Sequence, residues 1–385
     1  MTRLEWTTAG ESHGKALVGV LSGLPAGLEL SLERVDAELA RRQGGYGRGG
    51  RMKIERDRVE LLSGVRAGRT LGSPVALSLV NRDATIERLP VPTNPRPGHA
   101  ALAGCQKLWA ADPRAVLERA SARETAIRVA LAGVARQVLE RFGVEVFAHV
   151  VELGGEAVDP ARVEQALALP ATERAARREA SDFYALDPGV EGRLRERVDG
   201  AREDGDSLGG VFEVRAEGLP PGLGSYHSGP ERLTARLGAA LLSIPAMKGV
   251  EFGLGFEAAR RPGSEVHDAV VPAPGGGWGR FGRATNRSGG LEGGMTTGEP
   301  LVVRVAMKPI PTLRKGVGTV DFETGQPRQA TYQRSDVTSV PAASVVGEAM
   351  VALELTAAFL ERFAGDSLAQ VEAALEAHRQ ALQRL

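Results

Sequence analysis

The chain has little with which to build several common kinds of chemical site. A single cysteine, Cys105, among 385 residues excludes an intrachain disulfide and any site made of several thiolates, and it fits a reducing compartment. Aromatic residues amount to only 4%, which disfavours stacking platforms for nucleic-acid bases. Net charge is absent too: 48 Lys and Arg balance 48 Asp and Glu. No global field therefore draws the molecule to nucleic acid or an anionic membrane, and any anion specificity has to come from local clusters. No apolar run approaches the roughly 18 residues of a membrane span, and the first fourteen residues hold no long apolar stretch of the secretory kind. The expectation is a soluble, unprocessed, cytoplasmic protein.

What the chain does have is apolar residues (42%) and glycine (49 residues). The first suffices for a substantial core, and the second marks places where backbone bends or approaches something closely. Leu32, Val35 and Leu39 recur at helical spacing behind Ser31, a residue type that caps helices. A helical pattern of about 30 residues starts at Asp112-Pro113 and runs to Phe142, with an interruption expected near Ser121. Strand-like runs cover 144–153, 210–216 and 300–307. Helices are expected over 342–363 and 367–385, the second opened by a Ser367/Gln370 capping box. Residues 156–206, rich in Arg and Glu, read as peripheral surface helices. No repeat or linker divides the chain, so residues 1–385 form one domain of mixed strands and helices.

Chemistry concentrates in glycine-rich segments. Gly10-Glu11-Ser12-His13-Gly14 and Arg96-Pro97-Gly98-His99 each place a histidine beside other functional side chains. Histidine is the side chain whose protonation is set near neutral pH, and a nearby phosphate favours its charged form. Gly44 to Arg51, with Arg42 just before it and Arg48 within it, combines backbone freedom with cations, as an anion cradle requires. Its Gly-x-Gly-x-x-Gly spacing follows a helix rather than a strand, which excludes a dinucleotide fold; taken alone, the segment reads equally well as an exposed basic loop. Arg119-Ala120-Ser121-Ala122-Arg123 surrounds two guanidinium groups with small residues, although Arg and Glu on a helix ordinarily form a solvated face. A glycine loop at 288–298, Lys308-Pro309-Ile310-Pro311-Thr312, and Arg334-Ser335-Asp336 repeat the same vocabulary. Together these segments suggest recognition of a polyanion coupled to proton transfer, with neither a nucleophilic serine triad nor a metal cluster.

In this order and spacing the motifs resemble the chorismate synthase family over nearly the whole chain, with Ile244 to Glu251 and Val340-Pro341-Ala342-Ala343 adding to the match. The resemblance implies an α+β fold, a β-α-β sandwich with helices packed between antiparallel sheets, assembled as a homotetramer. It implies a lyase of the shikimate pathway that converts 5-enolpyruvylshikimate 3-phosphate to chorismate and phosphate by 1,4-anti elimination, using reduced FMN that is not consumed. By position, His13, His99 and Asp336 take the catalytic places. Flavin contacts fall on Arg119, Ala120, Ser121, Pro245, Ala246, Gly293, Lys308, Pro309, Ile310, Pro311, Thr312 and Arg334. Arg42 and Arg48 match the basic pair assigned to NADP or to substrate phosphate. NADPH enters only as a reductant of the flavin, and a separate flavin reductase is the expected supplier. The chain departs from the family at Ala101, where Arg-Pro-Gly-His-Ala is normally followed by Asp, and at Ala120 and Pro245, where polar residues are usual. A flavin oxidoreductase with net electron transfer, and a binding protein without catalysis, are the competing classes.

Overall fold

The computed structural model describes residues 3–49, 57–273, 277–330 and 336–385. Two antiparallel sheets enclose a layer of helices, in a mixed α+β architecture. The first sheet holds β1 (Glu5–Ala9), β2 (Ala16–Ser22), β3 (Glu60–Ser63) and β4 (Val75–Val80), in the order β1-β2-β4-β3. The second holds β5 (Glu145–Leu153), β6 (Glu156–Ala157), β7 (Gly210–Glu217), β8 (Met247–Phe252) and β9 (Leu301–Met307), in the order β8-β9-β7-β5-β6. The helices that matter here are α1 (Leu32–Gln43), α2 (Ala101–Leu108), α3 (Arg114–Arg119), α4 (Thr125–Arg141), α5 (Pro160–Leu167), α6 (Ala171–Glu179), α7 (Glu191–Glu203), α8 (Leu233–Leu242), α9 (Val340–Arg362) and α10 (Leu368–Leu382).

Two of them form the interior. Thirteen of the 17 residues of α4 and 20 of the 23 in α9 are buried, the condition of a helix that is apolar all round and has no face left for water. Helix α4 lies against β2 and β4, α9 lies against β5 and β7, and the two helices pack on each other. Close approach relies on glycine: a Cβ at Gly19 of β2 would meet Ile127 at 2.8 Å, and one at Gly347 of α9 would meet the Phe212 ring at 2.3 Å. By length and composition α9 could cross a membrane, contrary to the expectation that no run approaches that length; nearly all of it is covered by the rest of the fold.

The helical pattern over 112–142 is interrupted at the place expected. Helix α3 ends at Arg119, Ala122–Glu124 form a 3-10 turn, and α4 starts at Thr125. Ser121 is extended and its side chain accepts the Arg123 N–H. Ser31 caps α1, and the Ser367/Gln370 capping box is present at α10.

Residues 156–206 do more than the peripheral role expected of them. Arg178 of α6 is buried and donates to Glu348 of α9 at 3.2 Å. Tyr46, in the glycine-rich loop, donates its hydroxyl to Asp199 of α7 at 2.7 Å and lies under the Arg195 guanidinium at 4.4 Å. Glu348 is the hub of the layer. Its carboxylate, 1% exposed, accepts from Arg41 of α1 at 3.1 Å, Arg136 of α4 at 2.7 Å, Arg178, and the Ala148 N–H of β5 at 2.8 Å. Burial alone would raise its proton affinity, but the three guanidinium groups reverse that and hold it far below the usual carboxylate range.

Removing one side of a buried ion pair leaves the other charged and unanswered. Glu348→Gln is therefore expected to lower stability by about 3–5 kcal/mol in urea titrations at pH 7. Because the folded carboxylate titrates below the unfolded one, its contribution is complete above the ordinary glutamate range and fades as the pH falls. The gap between wild type and variant should accordingly narrow toward pH 3. An unchanged unfolding midpoint at pH 7 would remove Glu348 from its place as hub.

Candidate active site

The two central helices begin at the same end of the sandwich, and a cleft of about 930 Å³ opens there. The turn between β1 and β2 brings His13, the α3–α4 junction brings Arg119 to Thr125, the chain after β9 brings Lys308 to Thr312, and the start of α9 brings Ser339, Ala342 and Ala343. Helix N-termini carry partial positive charge, and the side chains add to it. Among the described residues, nine Arg and Lys line the cleft against four Asp and Glu, an excess that a polyanion would satisfy.

At one side, the last turn of α1 delivers Arg42, fully buried, with Nε donating to Thr125 Oγ1 at 3.0 Å and a terminal nitrogen donating to the Ala122 carbonyl at 2.7 Å. Burial, reinforced by Arg48 and Arg123, pulls its proton affinity down to about 9 against the attraction of Asp57 and Asp336. Arg48 pairs with Asp336 at 2.7 Å and donates to Ser339 at 2.9 Å. The same Asp336 carboxylate accepts from the Gly49 N–H and the Ser339 hydroxyl, so the basic loop as far as Gly49 closes onto the start of α9; Gly50 and Arg51 of that loop lie outside the described residues. Arg123, 7% exposed, pairs with Asp57 at 2.6 Å and donates to the Asn81 side-chain Oδ1 at 3.0 Å.

The two histidines sit in opposite electrostatic surroundings. His13 Nδ1 lies 2.8 Å from Glu118 Oε2, and its Nε2 lies 3.7 Å from Asp83. His99 has cations instead. Burial, then Arg96 and Lys308, pushes its proton affinity down to about 4. Its Nδ1 is buried and has no hydrogen-bond partner among the described residues. Ala101, the residue that departs from the family pattern, is itself buried in the first turn of α2 and offers no carboxylate. Lys308 donates to the Gly98 carbonyl at 3.0 Å, holding the His99 loop, while burial and neighbouring Lys248 lower its own proton affinity.

Arg119, Ala120, Ser121, Pro245, Ala246, Lys308, Ile310, Pro311 and Thr312 all line this cleft together with His13, His99, Arg42, Arg48 and Asp336. Arg119 reaches the Thr8 and Gly10 carbonyls, and Ser121 donates to Ser12 at 3.2 Å. Ala246 adopts a left-handed backbone (φ +73°), an outlier for a residue with a side chain and of the kind found at ligand sites. Pro309 follows Lys308 without lining the cleft, and Gly293 sits in the Leu291–Thr296 hairpin, outside the cleft of a single chain. Arg334 lies outside the described residues. Glu118 and Asn81 escaped the sequence reading. Nothing in their local sequence separates them from helix-face or loop residues exposed to water.

The chain matches the family described as chorismate synthase over residues 4–360. It is 54% identical over 385 residues to the chorismate synthase of Rubrobacter xylanophilus, covering 97% of this chain and 96% of that one. It is 51% identical over 384 residues to that of Trichlorobacter lovleyi, covering 96% of each. A solved structure titled as a crystal structure of chorismate synthase is similar to it with a TM-score of 0.82 and 41% identity, over the whole of both chains. By sequence, by fold and by the extent of both matches, this chain belongs to the chorismate synthase family, a family of lyases.

Proposed function

We propose that the cleft eliminates phosphate from 5-enolpyruvylshikimate 3-phosphate to give chorismate, with reduced FMN bound beside the substrate and no net redox change. The observation that carries this reading is the excess of five positive charges around two histidines in one cleft. The substrate brings a phosphate and two carboxylates, and FMN brings a further phosphate.

The residues present fit such a cofactor. The volume lies within the range of small-molecule sites, about 300–1,000 Å³. Leu117, Ile244, Met307 and Val346 give the cleft an apolar lining for a ring system. Of its buried nitrogens, Arg123 Nη2 and His99 Nδ1 have no partner among the described residues. On this reading Arg119, Ala120, Ser121, Pro245, Ala246 and Lys308 to Thr312 hold the flavin, with Arg334 and Gly293 carried over from the family alone. Reduced FMN, when bound, supplies electron density to an elimination whose C6 proton is too weakly acidic for a side-chain base by itself.

The chain's own groups bind, orient and move protons. Arg42, Arg48 and Arg123 hold the substrate's anionic groups, since Asp57 and Asp336 answer only part of their charge. His99 is neutral at pH 7 in the ligand-free protein, and a phosphate among Arg96, Lys308 and His99 raises its proton affinity toward the charged acid that a departing phosphate needs. Asp336, held by Arg48, Ser339 and the Gly49 N–H, is the carboxylate placed to accept a proton. The reading carries with it a cytoplasmic homotetramer, supplied with reduced FMN by a separate reductase and using NADPH only as the flavin's reductant, with no nucleic-acid or membrane partner.

Purified protein mixed anaerobically with substrate and chemically reduced FMN is expected to release chorismate and phosphate in equal amounts while the flavin stays reduced. Oxidised flavin formed in step with product would point instead to a conventional oxidoreductase, and flavin binding without either product to a protein that has lost the chemistry. His99→Ala should lower turnover by roughly a hundredfold or more, the scale of a general acid, with FMN affinity nearly intact by fluorescence titration. An unchanged rate would take His99 out of the catalytic set.

A further inference from the structure

We propose that Glu118 is a positioning residue that fixes His13 as the Nδ1–H tautomer, so that Nε2 is the atom at which His13 gains and loses its proton. The inference deepens the functional reading above and rests on it for its kinetic consequence.

The last turn of α3 and the turn between β1 and β2 are joined by three hydrogen bonds at this residue. The Ser12 N–H donates to the Glu118 carbonyl at 3.1 Å. The His13 N–H donates to Oε2 at 2.9 Å, and His13 Nδ1 lies 2.8 Å from the same oxygen. Glu118 is 3% exposed, and its other oxygen accepts from Arg114 at 3.1 Å. Burial works to raise its proton affinity, but the His13 hydrogen bond and charge, then Arg114, bring it below the usual carboxylate range. An ionised carboxylate only accepts hydrogen bonds, so Nδ1 carries a proton whether the ring is neutral or charged.

The consequence concerns Nε2. With Nδ1 committed, the one titrating nitrogen lies on the Asp83 side of the ring, and both His13 and Asp83 line the cleft. The backbone is committed as well: Asn81 donates to the Glu11 and Gly14 carbonyls, and the Ile86 N–H donates to the His13 carbonyl. The imidazole is thus held by side chain and main chain together, as a group needs when it passes a proton along one direction. His99 offers the contrast, since its Nδ1 has no partner among the described residues.

Nitrogen NMR of the full protein labelled with ¹⁵N-histidine, recorded without ligand and above the histidine titration, tests this. The His13 signals, assigned through His13→Asn, are expected to show a protonated Nδ1 and a lone pair on Nε2. A protonated Nε2 would overturn the proposal without reference to turnover. In Glu118→Gln, whose amide can accept or donate, the two tautomers should mix and kcat fall roughly a hundredfold, with KM for substrate and FMN affinity within about twofold. Glu118→Asp should restore part of the loss. A Gln variant that keeps a pure Nδ1–H tautomer and wild-type kcat would also sink the assignment. Absence of chorismate from wild-type protein that shows the Nδ1–H tautomer would defeat the functional reading and leave this assignment standing.

Discussion

A carboxylate buried under three guanidinium groups sets the geometry on which the rest depends. Glu348 has no water to turn to, and its partners come from α1, α4 and α6, while β5 contributes a backbone N–H. A charge in the interior tolerates only good geometry, so each of these elements is held in rotation as well as in position. For α1 this decides the site. Arg41 is drawn inward to Glu348, and the next residue, turned about 100° around the helix, is Arg42, whose guanidinium meets Thr125 and the Ala122 carbonyl at the edge of the cleft. Two adjacent arginines thereby serve the core and the cleft.

The cleft is an electrostatic construction that its protein groups leave unfinished. Asp57 and Asp336 pair with Arg123 and Arg48, Glu124 holds Arg128 at 2.8 Å, and among the described residues positive charge still remains in excess. Keeping cations desolvated and partly unanswered costs stability, which the close-packed sandwich behind them sustains. The two histidines differ accordingly: His13 Nδ1 lies against a carboxylate, whereas His99 sits among cations, and on the proposed function it is a ligand's negative charge that completes its surroundings.

Much of this was legible in the sequence because glycine, arginine and histidine in short segments carry chemistry that composition does not hide. The helix break at Ser121 showed in its local residues, and the positions of α4 and α9 showed in their apolar patterns. The central place of Glu348 did not. A glutamate on a helix looks the same in sequence whether it faces water or three arginines of other elements, and the same blindness covers Glu118 and the buried Arg174 and Arg178. Such residues acquire their meaning from long-range packing, which also explains why 156–206 read as peripheral although its helices hold both the hub and Tyr46 of the basic loop.

On the proposed function, ligand anions complete the cleft and thereby charge His99. Isothermal titration calorimetry measures this directly, with 5-enolpyruvylshikimate 3-phosphate titrated at pH 7 into protein holding oxidised FMN, in two buffers of different ionisation enthalpy. Since burial and neighbouring cations push the proton affinity of His99 down to about 4 without ligand and a bound phosphate raises that value, uptake approaching one proton per site is expected, lost in His99→Ala. Binding with no proton exchange, or with proton release, would contradict it.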